Sequence, residues 1–279
     1  MAIERIGIPL EGLKSSERSE LMKNRVDTIL ANYLPEHPPS LAHGYSHFRK
    51  VTQHCCDLSE KIGVERPDLM YVVGLYHDVY RPAEGKDGKE DHESKGAEII
   101  RDNLALVLSP NDLGAVVSTL VGHDKAIITG RGTREMIILS LADKVDMSAQ
   151  RCVAYAWASN KNARSANETI PYPSFKSILE FFRRYRTKAD QVFESIGLED
   201  LDPNIQKYNE KAKKAYKRTE KKLAKLAKKE EKGKIIFTEE FKRISRKEAM
   251  MDVEYLKRDG FSNETIAKVT ANYSELLAA

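Results

Sequence analysis

Three observations in the sequence predict an all-α fold. Apolar residues recur at i, i+3 and i+4 over most of the chain, the spacing that lines one face of a helix. No two alternating apolar runs are joined by a hairpin turn, so nothing asks for a sheet. Pro35 to Pro39, Gly63, Pro67 and Gly260 fall where these periodic runs begin or end, as helix boundaries require.

Taken in order, Val26, Ile29, Leu30 and Tyr33 form a first stripe, ended by the Pro-rich stretch from Pro35 to Pro39. A helix is expected from about 45 to 62, with Gly63 at the position a helix C-terminus favours. Pro67 sits where a first turn tolerates it. The run 69–76 is apolar almost all round, the mark of a helix buried in the core, and it stops on His77-Asp78. After a Gly- and charge-rich loop (Arg81 to Glu90), helices are expected near 91–106, 110–123 and 133–148. Their stripes include Ile99, Ile100 and Leu104, then Leu113, Val116, Val117 and Leu120. Segments 174–195, 203–232 and 238–258 also read as helices, and a last one runs to about 278. Composition changes near residue 200, which divides the chain into a domain over 1–200 and an extension over 201–279.

Charge marks that division. The chain of 279 residues is 41% apolar and 32% charged, with a net charge of +4. Residues 205–234 alone hold thirteen Lys/Arg and four Glu, a net of +9, so the remainder is −5. This is a slightly acidic body carrying one basic element, not a uniformly basic binder. Cys55, Cys56 and Cys152 lack metal-ligand spacing and read as reduced thiols. The N-terminus has acidic residues and no apolar h-region, and no apolar run approaches the ~18 residues that span a membrane. The expectation is a soluble cytoplasmic protein without a membrane partner.

The residue types that carry chemistry are clustered. All seven histidines lie between His37 and His123, with none in the last 156 residues. Imidazole is the commonest neutral metal ligand, and carboxylates complete such sites. His77-Asp78 closes an apolar helix, where two polar groups are costly to bury without a partner. Alone, the doublet reads equally as a capping Asp beside a His emerging at the surface, and His123-Asp124 shows how easily the pair arises.

The company of the doublet is more specific. His43-Gly44-Tyr45-Ser46-His47-Phe48-Arg49-Lys50-Val51 precedes it. Asp91-His92-Glu93-Ser94-Lys95-Gly96-Ala97, Gly122-His123-Asp124-Lys125 and Leu141-Ala142-Asp143-Lys144-Val145-Asp146 follow. In this order the sequence resembles the HD-domain phosphohydrolase superfamily, over roughly residues 40–195. The match is closest to small members with an H-G-x-x-H-x-x-R-V start, an H-D-x-x-R-P turn and an H-E-x-x-G-A motif.

The resemblance implies an HD-type helical core that hydrolyses phosphoester or phosphoanhydride bonds in nucleotides or other small phosphorylated metabolites. It implies one divalent cation (Mn, Mg, Co, Ni or Fe) held by His47, His77, Asp78 and Asp143. Members with two metals add histidines at the positions of His92 and His123, with Asp78 bridging; the alternative is that these two contact phosphate or stand behind the ligands. A cation so held acidifies water and polarises a phosphoryl oxygen, leaving the protein to position the substrate. Catalytic candidates are Asp78, His43 and Lys144. Phosphate contacts are expected from Arg81, Lys144 and His43, while Lys125 reads as a surface charge. His43 either donates a proton to a leaving oxygen or only touches substrate. His54 reads as an ordinary partly buried histidine and His37 as exposed. Tyr80 replaces a usual small residue, and the stretch after Asp146 follows the pattern only loosely, so substrate identity does not transfer.

The basic run has good helix formers and a thin stripe of Tyr208, Ala212, Ala215, Thr219, Leu223 and Leu226. It reads either as a solvated helix packed by one narrow face or as a surface for nucleic-acid phosphates. The second alternative makes the whole chain a nucleic-acid-associated protein working through residues 205–234. The end resembles a helix-turn-helix-like hairpin, and Gly260 as C-cap followed by Ser262 or Asn263 as N-cap accounts for most of that pattern.

Overall fold

A computed structural model describes residues 15–79, 92–129, 132–166, 173–195 and 202–278. Among these there are helices and no strand. In chain order they are α1 (Ser15–Tyr33), α2 (Tyr45–Ile62), α3 (Pro67–Tyr76), α4 (His92–Leu104), α5 (Pro110–Thr129) and α6 (Arg134–Val145). There follow α7 (Ala149–Ala166), α8 (Phe175–Ser195), α9 (Pro203–Glu231), α10 (Phe237–Arg258), α11 (Asn263–Val269) and α12 (Ser274–Ala278).

The local signals act as expected. Gly63 closes α2 in the left-handed region (φ 69°), its N–H donating to Ser59 O. Pro67 opens α3, whose residues from Asp68 to Tyr76 are buried except Tyr71. Ser262 rather than Asn263 caps α11, accepting from Thr265 N.

Two elements differ from expectation. The periodic pattern assigns nothing to 149–166, where α7 stands; its buried Arg151 and Asn160 interrupt the apolar stripe of Cys152, Val153, Trp157 and Ala158. The single last helix to 278 is instead α11, a 3₁₀ turn at Ala271–Tyr273, and α12. There the Asn272 amide donates to Pro38 O, and Tyr273 turns inward, so tertiary contacts break the helix.

Helix α3 lies across α2 at Gly74. A Cβ at that position would stand 2.6 Å from Thr52 Cα, so only glycine lets the two backbones meet there. This close crossing brings the end of α3 beside the start of α2. The narrow face of α9 (Ile205, Tyr208, Ala212, Tyr216, Leu223) is buried on α8, α6 and α2. Helix α10 lies against α7 and α2. Phe241, Ile244 and Leu256 of α10 belong to one apolar cluster with Phe48, Val72 and Ile138.

Candidate metal centre

Helix α2 begins without a side-chain cap of its own. Its first turn is held from another part of the chain: Asp252 of α10 accepts from Ser46 N at 2.8 Å and from Tyr273 OH at 2.7 Å. A Cβ on Gly44 would fall 1.9 Å from the Asp252 carboxylate, so the glycine makes room for this contact. Burial raises the Asp252 carboxyl above its ordinary range, and the bonds from Ser46 and Tyr273 oppose that rise. His43 ends the 3₁₀ turn Leu41–His43 just before α2, and His47 lies in its first turn.

His77 and Asp78 occupy the turn after α3, where the helix has ended and adjacent side chains can face one point. The His77 Nδ1–H donates to Gly74 O at 2.8 Å, which directs Nε2 into the core. That Nε2 lies 3.0 Å from His47 Nε2 and 3.1 Å from Asp78 Oδ2. The His47 Nδ1–H donates to Asp146 Oδ2 at 3.0 Å, so its Nε2 also points inward, 3.3 Å from Asp78 Oδ2 and 3.4 Å from Asp143 Oδ1. One ligand atom from each of His47, His77, Asp78 and Asp143 lies within 4.8 Å of the others.

This donor set fits a divalent cation. Both imidazoles have Nδ1 committed to an acceptor, which fixes their tautomers and leaves two Nε2 lone pairs facing each other at 3.0 Å. Such an arrangement needs positive charge between the rings. Without a metal it falls to a proton: burial pushes the His47 imidazolium down, but Asp143, Asp146 and Asp78 outweigh it and hold the group well above its usual range. Burial raises Asp143, while His47, Lys144 and His77 pull it far lower, so it stays ionised.

Around the four stand groups that orient them. His43 Nδ1 donates to Asp78 Oδ2 at 2.8 Å. Asp146 accepts from His47 and from Arg151 Nη1 at 2.7 Å, with Lys50 Nζ at 3.6 Å. Lys144 is buried, its Nζ 3.6 Å from Asp143 Oδ2 and 5.7 Å from the centre of the Tyr185 ring. Sequence reasoning missed Gly74, Arg151 and Asp252, and gave Asp146 no role. Asp146 had a signal, three residues after Asp143 in the quoted motif; Arg151 and Asp252 had none.

Other expected site residues fall elsewhere or beyond view. His123 is buried and donates from Nδ1 to Leu120 O, repeating the His77 arrangement, but it is not one of the four convergent residues. Tyr80, Arg81 and the side chains of His92 and Lys125 lie outside the described residues. His54 is bonded to Tyr208 OH of α9, and His37 is exposed and stacked on Tyr33.

Glu248 of α10 adds a pH-sensitive element behind the centre. The residue is 3% exposed, with Lys50 Nζ 3.8 Å from its carboxylate, and burial raises its pKa from 4.5 to about 7. A carboxyl raised in the folded state contributes stability below its unfolded pKa, and that contribution is lost as pH rises through 7. The cost reaches about 3 kcal/mol above pH 8, at roughly 1.4 kcal/mol per pKa unit. The Glu248→Gln variant should therefore gain stability over the wild type between pH 5 and pH 8 in denaturant melts. A difference that stays flat across that range would show that Glu248 is ionised throughout.

Comparison with known proteins places this geometry. Residues 44–148, from the residue before α2 to the residue before α7, match the HD domain. No curated protein and no solved structure matches the chain. Among the described residues, no helix is long and apolar enough to cross a membrane. The convergent His47, His77, Asp78 and Asp143 all fall within this segment, which is similar to the HD domain.

Proposed function

We propose that this chain is a metal-dependent phosphohydrolase acting on a small phosphorylated substrate, most simply a nucleotide. The observation that carries the reading is the convergence of two tautomer-fixed imidazoles, the buried Asp78 carboxylate and the partly buried Asp143 carboxylate on one point. His47, His77, Asp78 and Asp143 would hold the ion. The mixed imidazole and carboxylate set suits Mn, Fe, Co or Ni better than Mg, which prefers oxygen alone. When bound, such an ion supplies a Lewis acid for the phosphoryl oxygen and acidifies water.

The protein's own groups do the rest. Asp146 and the Gly74 carbonyl keep the His47 and His77 rings turned inward. His43 holds a proton at Nδ1 against Asp78, orienting that carboxylate. Lys144, with Arg81 by the sequence motif, offsets phosphate charge. A second ion at His92 and His123 remains part of the proposal, as does the functional division at residue 200. The apolar face of the extension nevertheless shares the core of the preceding helices.

The test strips the protein with a chelator, then restores Mn²⁺, Co²⁺, Ni²⁺, Fe²⁺ or Mg²⁺ before a panel of phosphomonoesters, phosphodiesters and nucleoside triphosphates. Turnover restored by a transition ion is the expected result. Equal turnover in the stripped protein, or none with any ion, would overturn the reading.

A further inference from the structure

The exposed face of α9 is built for anions. Exposed cations recur every three or four residues from Lys207 through Lys214, Lys221 and Lys229 to Lys232. Their mean spacing stays close to the helical period of 3.6, so they form one straight stripe about 37 Å long, at 1.5 Å per residue. Like charges at i, i+4 repel one another and lower helix stability. Among the described residues, no lysine or arginine of α9 is in an ion pair that would offset this. Two of the four glutamates of α9 are turned away to α8, where Glu220 binds Arg183 and Arg186 and Glu230 accepts from Phe175 N.

The stripe deepens where α10 crosses it. A cleft of about 270 Å³ between α9 and α10 is lined by Lys222, Lys225, Lys229, Arg243 and Lys247. Its carboxylate, Glu240, is held by Arg243 in two bonds of 2.6 and 2.7 Å. The Arg243 bond, and then the nearby charges of Lys229 and Lys247, keep that carboxyl below its ordinary range, as expected in a positive field.

The kind of polyanion follows from what the face lacks. Proteins that take single strands stack bases on aromatic side chains. Both tyrosines of α9, Tyr208 and Tyr216, are buried in the core and offer no such platform. We propose that the stripe and its cleft bind the phosphate backbone of a nucleic-acid duplex, without reading its sequence. A duplex strand presents one phosphate per 3.4 Å of axis, dense enough to meet cations about 5 Å apart along α9.

The test is fluorescence anisotropy of the full chain with a mixed-sequence duplex of ~20 base pairs, as DNA and as RNA, between about 50 and 200 mM salt. This readout does not depend on turnover, so its result stands apart from the fate of the proposed hydrolase. Binding in the range of about 10⁻⁴ to 10⁻⁶ M is expected, with affinity falling against log salt at a slope near −0.9 per phosphate met, or about −4 to −5 for the cleft. K222E/K225E/K229E should weaken binding at least ~100-fold and flatten the slope by about 3, and K222Q/K225Q/K229Q should show a smaller loss in the same direction. A control with the same charge change away from α9 and its cleft, K23E/K257E/K268E, should stay within about threefold. Binding by neither duplex at low salt overturns the proposal. So does a single strand of the same sequence binding tighter than the duplex, or a control that loses as much as the stripe variant.

Discussion

Replacing Asp78 by Ala is expected to abolish metal retention and to lower turnover of the best substrate by about 10³-fold, or ~4 kcal/mol of transition-state stabilisation. One atom explains the size of the effect. Asp78 Oδ2 lies 2.8 Å from His43 Nδ1, 3.1 Å from His77 Nε2 and 3.3 Å from His47 Nε2. Its loss removes one of the two carboxylates proposed to hold the ion and the common partner of three imidazoles together. Metal content after dialysis, measured by mass spectrometry beside turnover, checks this. Retention of stoichiometric metal with activity within tenfold of wild type would sink the assignment.

Asp252→Ala is expected to weaken metal binding by about 10–100-fold, although Asp252 is in a different part of the chain from every ligand. The residue is 1% exposed and takes bonds from Ser46 N and Tyr273 OH. Alanine leaves both donors buried without an acceptor, at a cost of about 2–4 kcal/mol in stability. The first turn of α2, which carries His47, would then lose the acceptor of its Ser46 N–H. A purely structural role would lower the melting temperature without moving metal affinity in the folded protein. Isothermal titration well below the melting transition separates the two. Asp252→Asn keeps an acceptor for Ser46 N, so it should restore affinity to within a few-fold of wild type. If Ala binds metal as tightly as wild type, Asp252 only stabilises the fold.

The sequence carried the four convergent residues because each lies in a short motif whose order is fixed along the chain. It carried the helices because periodicity is a local property. It could not carry α7, whose stripe is broken by the buried Arg151 and Asn160, the first of them bonded to Asp146 outside the helix. The split of the last helix escaped for a similar reason, since Asn272 bonds to carbonyls more than two hundred residues earlier. Gly74 in an apolar run gave no sign that it marks the point where two helix backbones touch.

By itself, then, the sequence determined an all-α chain with His47, His77, Asp78 and Asp143 as candidate ligands and a basic extension after residue 200. Tertiary structure alone decided how those residues meet and what holds them there. Asp146 fixes a tautomer, Gly74 admits a close crossing, and Asp252 anchors the first turn of α2. These are pairings across 99 and 206 residues, or contacts between backbones, and they leave no periodic or motif signal because three-dimensional proximity is not written in sequence distance.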